Sequence, residues 1–107
     1  MLVIHLEFDD AVVSKEEARL ISEATRKIVS NVTKIDDVTV YGRSAEIKIN
    51  AGPVEIFISM SAHLIPDTGA LLQLLRKEFV AWKIESQFPH LINLSLIPTP
   101  WKFEIGI

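Results

Sequence analysis

Two stretches of this chain run through the same order of elements: strand, helix, strand. LVIHLEF (2–8), a helical run opening at Ser14 and VTVY (38–41) are answered by VEIFISMS (54–61), a helical run opening at Pro66 and LINLSLI (91–97). The recurrence is one of pattern rather than of identities. A helix that connects two strands of one sheet leaves them parallel, through a right-handed crossover. Two such units laid together predict an α+β fold: a four-stranded mixed sheet with two helices on one face, plus short extra strands. At 107 residues the chain is expected to be one domain, residues 1–107, with its units at about 1–50 and 54–107.

Within the first strand Leu2, Ile4, Leu6 and Phe8 fall on one face and Val3, His5 and Glu7 on the other. Ser14 and Glu17 have the S-x-x-E spacing of a capping box, in which hydroxyl and carboxylate each satisfy a free backbone N–H. Ala18, Ile21, Ala24, Ile28 and Val32 then form one apolar stripe, and Asn31 is the expected terminator. The second helix takes Asp67 or Thr68 as its cap, buries Leu71, Leu72, Leu75, Phe79 and Trp82, and ends at Phe88-Pro89. Gly42-Arg43-Ser44 reads as a turn. AEIKIN (45–50) alternates like a half-exposed strand, Pro98 and Pro100 read as bends, and WKFEIGI (101–107) reads as a last strand. One sheet face, carrying Val3 and Phe57, is left without a cover, which points to self-association.

The net charge of −3 argues against nonspecific nucleic-acid binding, which requires a surplus of Lys and Arg. There are no cysteines, so neither disulfides nor thiolate sites enter. His5 and Glu7 interrupt the opening apolar run, so no signal peptide is expected. No segment reaches the roughly 18–20 apolar residues of a bilayer span. The expected address is cytoplasmic. The mean hydropathy of +0.29 is high for a small domain and again points to apolar surface covered by a partner.

IHLEF, then SKEEARLISEATRKIVSNV, then TKIDDVTVY resemble the opening strand, capped helix and following loop of the tautomerase superfamily. That group includes 4-oxalocrotonate tautomerase, 5-carboxymethyl-2-hydroxymuconate isomerase and macrophage migration inhibitory factor. VEIFISMSAHLIPD, the leucine-rich helix and LINLSLIP are similar to the second half of its two-unit members. The resemblance implies a homotrimer with the sheets inside, a last strand reaching a neighbouring subunit, and a small carboxylate or keto–enol ligand. It implies no cofactor. It also implies an N-terminal proline whose secondary amine, in an apolar pocket, acts as a base. Here position 2 is Leu2, which predicts that Met1 is kept. Pro53, Pro66, Pro89, Pro98 and Pro100 are internal and have no free amine.

Three readings follow. The first is a proline-lacking trimer that is non-catalytic or an altered small-ligand binder. The second is an active tautomerase in which the Met1 α-amine, with an ordinary pKa of about 7.7–8, acts as a base or forms a Schiff base. The third is a ferredoxin-like dimeric binding module. By resemblance Lys34, after the first helix, matches a substrate-binding lysine, and Asn93 an asparagine near the ligand pocket. Arg43 is a candidate carboxylate clamp, although the strand arginine of some members is replaced here by Thr39. His5, His63 and His90 lack metal-binding spacing, so no metal site is expected. Asp9-Asp10 and Asp36-Asp37 read as solvated loop pairs, and Tyr41, Trp82 and Trp101 as packing residues.

Overall fold

Both strand–helix–strand units form, and they meet through their first strands. The computed structural model describes residues 2–100 and 104–107. Strand β1 spans Leu2–Phe8, helix α1 Lys15–Thr33, strand β2 Val38–Arg43 and strand β3 Val54–Ser61. A 3-10 turn at Ala62–Leu64, helix α2 at Thr68–Ser86 and strand β4 at Ile92–Thr99 complete the order. The sheet runs β2-β1-β3-β4. β1 and β2 are parallel from Leu2↔Val38 to Glu7↔Arg43, and β3 and β4 are parallel from Val54↔Ile92 to Ser61↔Thr99. The central β1–β3 pair is antiparallel, from Val3↔Ser59 to Phe8↔Val54.

That order corrects the ferredoxin-like alternative. In a ferredoxin-like sheet a strand of the other unit separates the two strands of each β-α-β. Here each unit keeps its own strands adjacent.

Period-two alternation sets the core. Leu2, Ile4 and Leu6 of β1 and Val54, Ile56, Ile58 and Met60 of β3 pack with Ile21 and Val29 of α1 and Leu75 and Phe79 of α2. The helices therefore cover one face. The opposite face carries Val3, His5, Glu7, Phe57 and their cross-strand neighbours.

Helix α1 begins as its sequence predicts: the Glu17 N–H donates to Ser14 Oγ (3.0 Å), and the Ser14 N–H donates to Glu17 Oε1 (2.9 Å). It passes Asn31 and ends at Thr33, with Lys34 left-handed at φ 61°. The buried stripe also includes Thr25, whose Oγ1 donates to the Ile21 carbonyl at 2.6 Å and so enters the core without an orphaned hydroxyl. Asp67 caps α2 by accepting the Ala70 N–H at 3.0 Å. Pro98 does not bend the chain. It sits inside β4, an edge strand, where a missing N–H costs no ladder bond.

AEIKIN does not form the expected strand. Residues 44–53 leave the end of β2 as a bent loop, with Ile47 and Ile49 81% and 87% exposed. Lys48 turns inward to Asp10, Ser44 and the Ala45 carbonyl, and the segment does not pair with the edge of β2. In the expected last strand, Trp101 and Phe103 lie outside the described residues, while Glu104–Ile107 are exposed and not in strand.

Candidate functional site at the head of strand β1

Parallel pairing brings the start of β2, and antiparallel pairing the end of β3, to the head of β1. Leu2 there is fully buried, and its backbone N–H donates to the Asp37 carbonyl at 3.0 Å. Met1, the candidate amine, lies outside the described residues.

Helix α1 delivers its last turn to the same corner. The left-handed turn at Lys34 lets its N–H reach the Ser30 carbonyl at 2.9 Å and sends the chain towards β2 within a few residues. Thr33 Oγ1 donates to the Val29 carbonyl (2.6 Å) and accepts the Ile35 N–H (3.3 Å). From the other side, β3 runs into the 3-10 turn and then Ile65-Pro66-Asp67, the entry to α2.

Between these segments lies a cavity of about 320 Å³, walled chiefly by Val32, Ile35, Met60, Ile65, Ala70 and Leu71. This is the size of a small-molecule site, and its walls are apolar as such sites usually are. The polar groups on its lining, Thr33 and Asp67, are already engaged with backbone partners. Lys34 is exposed and lies between two lining residues, Thr33 and Ile35, so its ammonium is the nearest formal positive charge in sequence to the opening. An apolar chamber of this kind suits the apolar body of a small ligand, which loses water contact inside it.

Arg43 and Asn93 stand elsewhere. Arg43 is five register steps along β2 from Val38, roughly 17 Å away at the rise of a strand. Its Nε donates to Glu7 Oε1 at 2.6 Å, and its side chain is mostly exposed. Asn93 pairs in register with Glu55, near the start of β4. A Cβ on Gly52 would stand 2.8 Å from Asn93 Nδ2, so this glycine is what lets the loop pass so close. Within one chain, then, Lys34 falls between two residues that line the cavity, while Arg43 and Asn93 lie at the opposite end of the sheet on different strands.

Two polar contacts at element ends escaped the reading of the sequence. Ser61, buried at the end of β3, places Oγ 2.6 Å from Nδ1 of the exposed His63; the S-x-H spacing was its only trace. His90 Nε2 lies 3.0 Å from Glu17 Oε2, tying the loop after α2 to the first turn of α1. The Ser14 N–H, and then His90, hold the Glu17 carboxyl below its ordinary range, and Lys48 does the same for Asp10. Both shifts belong to the scaffold rather than to the cavity. Among the described residues no group of three or more His, Asp or Glu side chains is placed to hold a metal ion, and no helix is long and apolar enough to cross a membrane.

No protein-family model and no curated protein matches the chain. Solved structures do. A domain of unknown function, DUF1904, from Sebaldella termitidis is 13% identical with a TM-score of 0.68, the match covering 100% of this chain and 98% of that one. FG41 malonate semialdehyde decarboxylase, solved inhibited by 3-bromopropiolate, is 16% identical with a TM-score of 0.65, covering 100% of this chain and 91% of that one. Macrophage migration inhibitory factor from Oncomelania hupensis is 19% identical with a TM-score of 0.64, covering 100% of this chain and 82% of that one. At these identities the likeness speaks for architecture, and the architecture is clear: this chain has the tautomerase-superfamily fold, as seen in macrophage migration inhibitory factor.

Proposed function

We propose that this protein is a cytoplasmic homotrimer of the tautomerase fold that binds a small carboxylate or keto–enol acid in the cavity at the head of β1, without the proline base. The observation that carries this reading is Leu2. It is 0% exposed, with its amide hydrogen-bonded into the sheet, at the place where the fold's resemblance implies a catalytic proline. The chain's 5 prolines are internal tertiary amides and supply no basic nitrogen. What remains is a receptor for an apolar acid, with Lys34 as the partner of its carboxylate. Trimer formation is supported by the uncovered sheet face, where Val3, Tyr41, Phe57 and Ile97 lie among polar groups.

The test is calorimetric titration with phenylpyruvate and 2-hydroxymuconate, with ultraviolet absorbance followed on the same samples for ketonisation. Binding without turnover is expected. It should weaken about tenfold in Lys34→Met, in line with a lost charge-assisted contact of 1–2 kcal/mol. It should be abolished in Ala70→Phe, which fills the cavity from its exposed wall. Turnover lost on acetylating the N-terminal amine would instead establish the Met1 enzyme. Absence of binding to wild type would end the receptor reading.

A further inference from the structure

Helix α2 and the start of the edge strand β4 do not close fully on one another. Between them runs a groove of about 260 Å³, walled on the helix side by Arg76, Phe79, Val80 and Lys83 and on the strand side by Leu91, Ile92 and Leu94. The four helical positions are three and four residues apart, so they make one stripe along two turns. Phe79 is buried, whereas Val80 is 43% and Leu91 72% exposed. Apolar surface beside an open hollow is where a ligand gains most by shedding water. Ile92 and Leu94 pack against the central cluster, so the groove opens on the helix-covered side of the sheet and not on the bare face assigned to the trimer.

The groove also has a single sign of charge. Among the described residues, Arg76 and Lys83 are the only charged groups on its lining, and neither forms an ion pair. The whole chain carries a net charge of −3, so two unpaired cations along one apolar groove are a local feature and not general basicity. Seven residues apart, they stand roughly 10.5 Å from one another along the helix axis, with Phe79 and Val80 between them. A partner helix docks by setting several apolar anchors along its groove. This hollow has room for one hydrocarbon chain.

We infer that the α2–β4 groove binds a single-chain amphiphile with an anionic head, of the fatty-acid class. Its chain lies against Phe79, Val80, Leu91 and Ile92, and Arg76 and Lys83 draw its carboxylate. A cationic amphiphile of the same length gains the apolar contact alone. The site is separate from the cavity at the head of β1, and neither depends on the other.

The experiment is calorimetric titration with decanoate, hexanoate and decyltrimethylammonium, each below its micelle-forming concentration. It uses the Ala70→Phe protein, in which the cavity at the head of β1 is filled. Because that variant is expected not to bind phenylpyruvate, decanoate binding by it supports the groove independently of the cavity. Decanoate should bind once per chain. Hexanoate should bind at least tenfold more weakly, since each fully buried methylene is worth about fourfold. Decyltrimethylammonium should also bind at least tenfold more weakly than decanoate. Adding Arg76→Gln/Lys83→Gln should weaken decanoate about tenfold without weakening decyltrimethylammonium, and Leu91→Asn should weaken both about fivefold. Arg76 and Leu91 are exposed and Lys83 is half-buried, so circular dichroism should not change. Equal affinity for the two decyl compounds, or decanoate binding unchanged by the paired glutamines, overturns the proposal. Decanoate binding by wild type that disappears in Ala70→Phe also overturns it, by placing the chain in the other cavity. Co-sedimentation with anionic phospholipid vesicles, without binding of free decanoate, overturns it in favour of a membrane surface.

Discussion

Replacing Leu2 by alanine separates a structural from a catalytic head of β1. The side chain is 0% exposed and belongs to the same buried cluster as Ile4, Val38 and Met60. Truncating a buried leucine costs about 2–5 kcal/mol, the spread reflecting how far the surrounding walls relax. Leu2 lies at the end of the sheet, where relaxation is easier than at mid-strand, so about 3 kcal/mol is expected. With a urea slope near 2 kcal/mol/M, the unfolding midpoint should fall by about 1.5 M. Leu2→Pro, prepared with residue 1 retained ahead of it, keeps most of the apolar volume but loses the N–H that the Asp37 carbonyl accepts. It should cost about 2 kcal/mol, divided between the hydrogen bond and the missing methyl group. Both variants are compared with wild type by urea unfolding at one protein concentration, because the proposed trimer would make the midpoint concentration-dependent. A midpoint for Leu2→Ala within about 0.3 M of wild type would refute the reasoning, since such a value is incompatible with a packed side chain.

Other outcomes follow from the same contacts. Ser14→Ala removes one half of the capping box and should destabilise the protein by about 1 kcal/mol in the same assay. Glu17, held below its ordinary value of 4.5 by the Ser14 N–H and by His90, contributes stability that is complete above that value and is lost as the pH falls through its lower folded value. The gap in thermal midpoint between wild type and Glu17→Gln should therefore be open at neutral pH and close as the pH is taken below 4.5. A gap that persists in acid would assign the effect to side-chain packing. Lys34→Gly relieves a left-handed side-chain residue of about 1–2 kcal/mol but adds unfolded-chain entropy of 0.5–1 kcal/mol, so a net gain of about 0.5–1 kcal/mol is expected alongside weaker acid binding. Stability and affinity moving together would separate Lys34 from the ligand.

Local chemistry was readable from the chain, and long-range pairing was not. The Ser14–Glu17 box needs only residues three apart, and the structure forms both of its bonds. The end of α1 was misplaced because Asn31 is the better left-handed residue by type, yet packing carries the helix on to Lys34, which adopts that conformation instead. AEIKIN shows the limit of periodicity: alternation records a preference for extended backbone without recording what the segment's polar side chains will bind, and here Lys48 turns to Asp10. The same limit applies to the site. The place of Lys34 in the fold was legible because it follows the helix directly, whereas the places of Arg43 and Asn93 depend on strand register. Register joins strands distant in sequence, β1 with β2 for Arg43 and β3 with β4 for Asn93, and no local spacing encodes it. Thr25 reads as polar within an apolar stripe until its hydroxyl is seen closing on the Ile21 carbonyl.

Among the described residues, the antiparallel ladder between β1 and β3 is the sole strand-to-strand seam joining the two β-α-β units. Each unit can zip its own parallel pair after folding one helix, but the seam requires Val3 to find Ser59 across the whole first unit. In pulse-labelled refolding, amides along this central ladder should therefore gain protection from exchange after those of α1 and α2. In the native protein, the same line is where the molecule would divide into separately opening foldons. A sheet that looks continuous from edge to edge is, in the time domain, two pieces and a late weld.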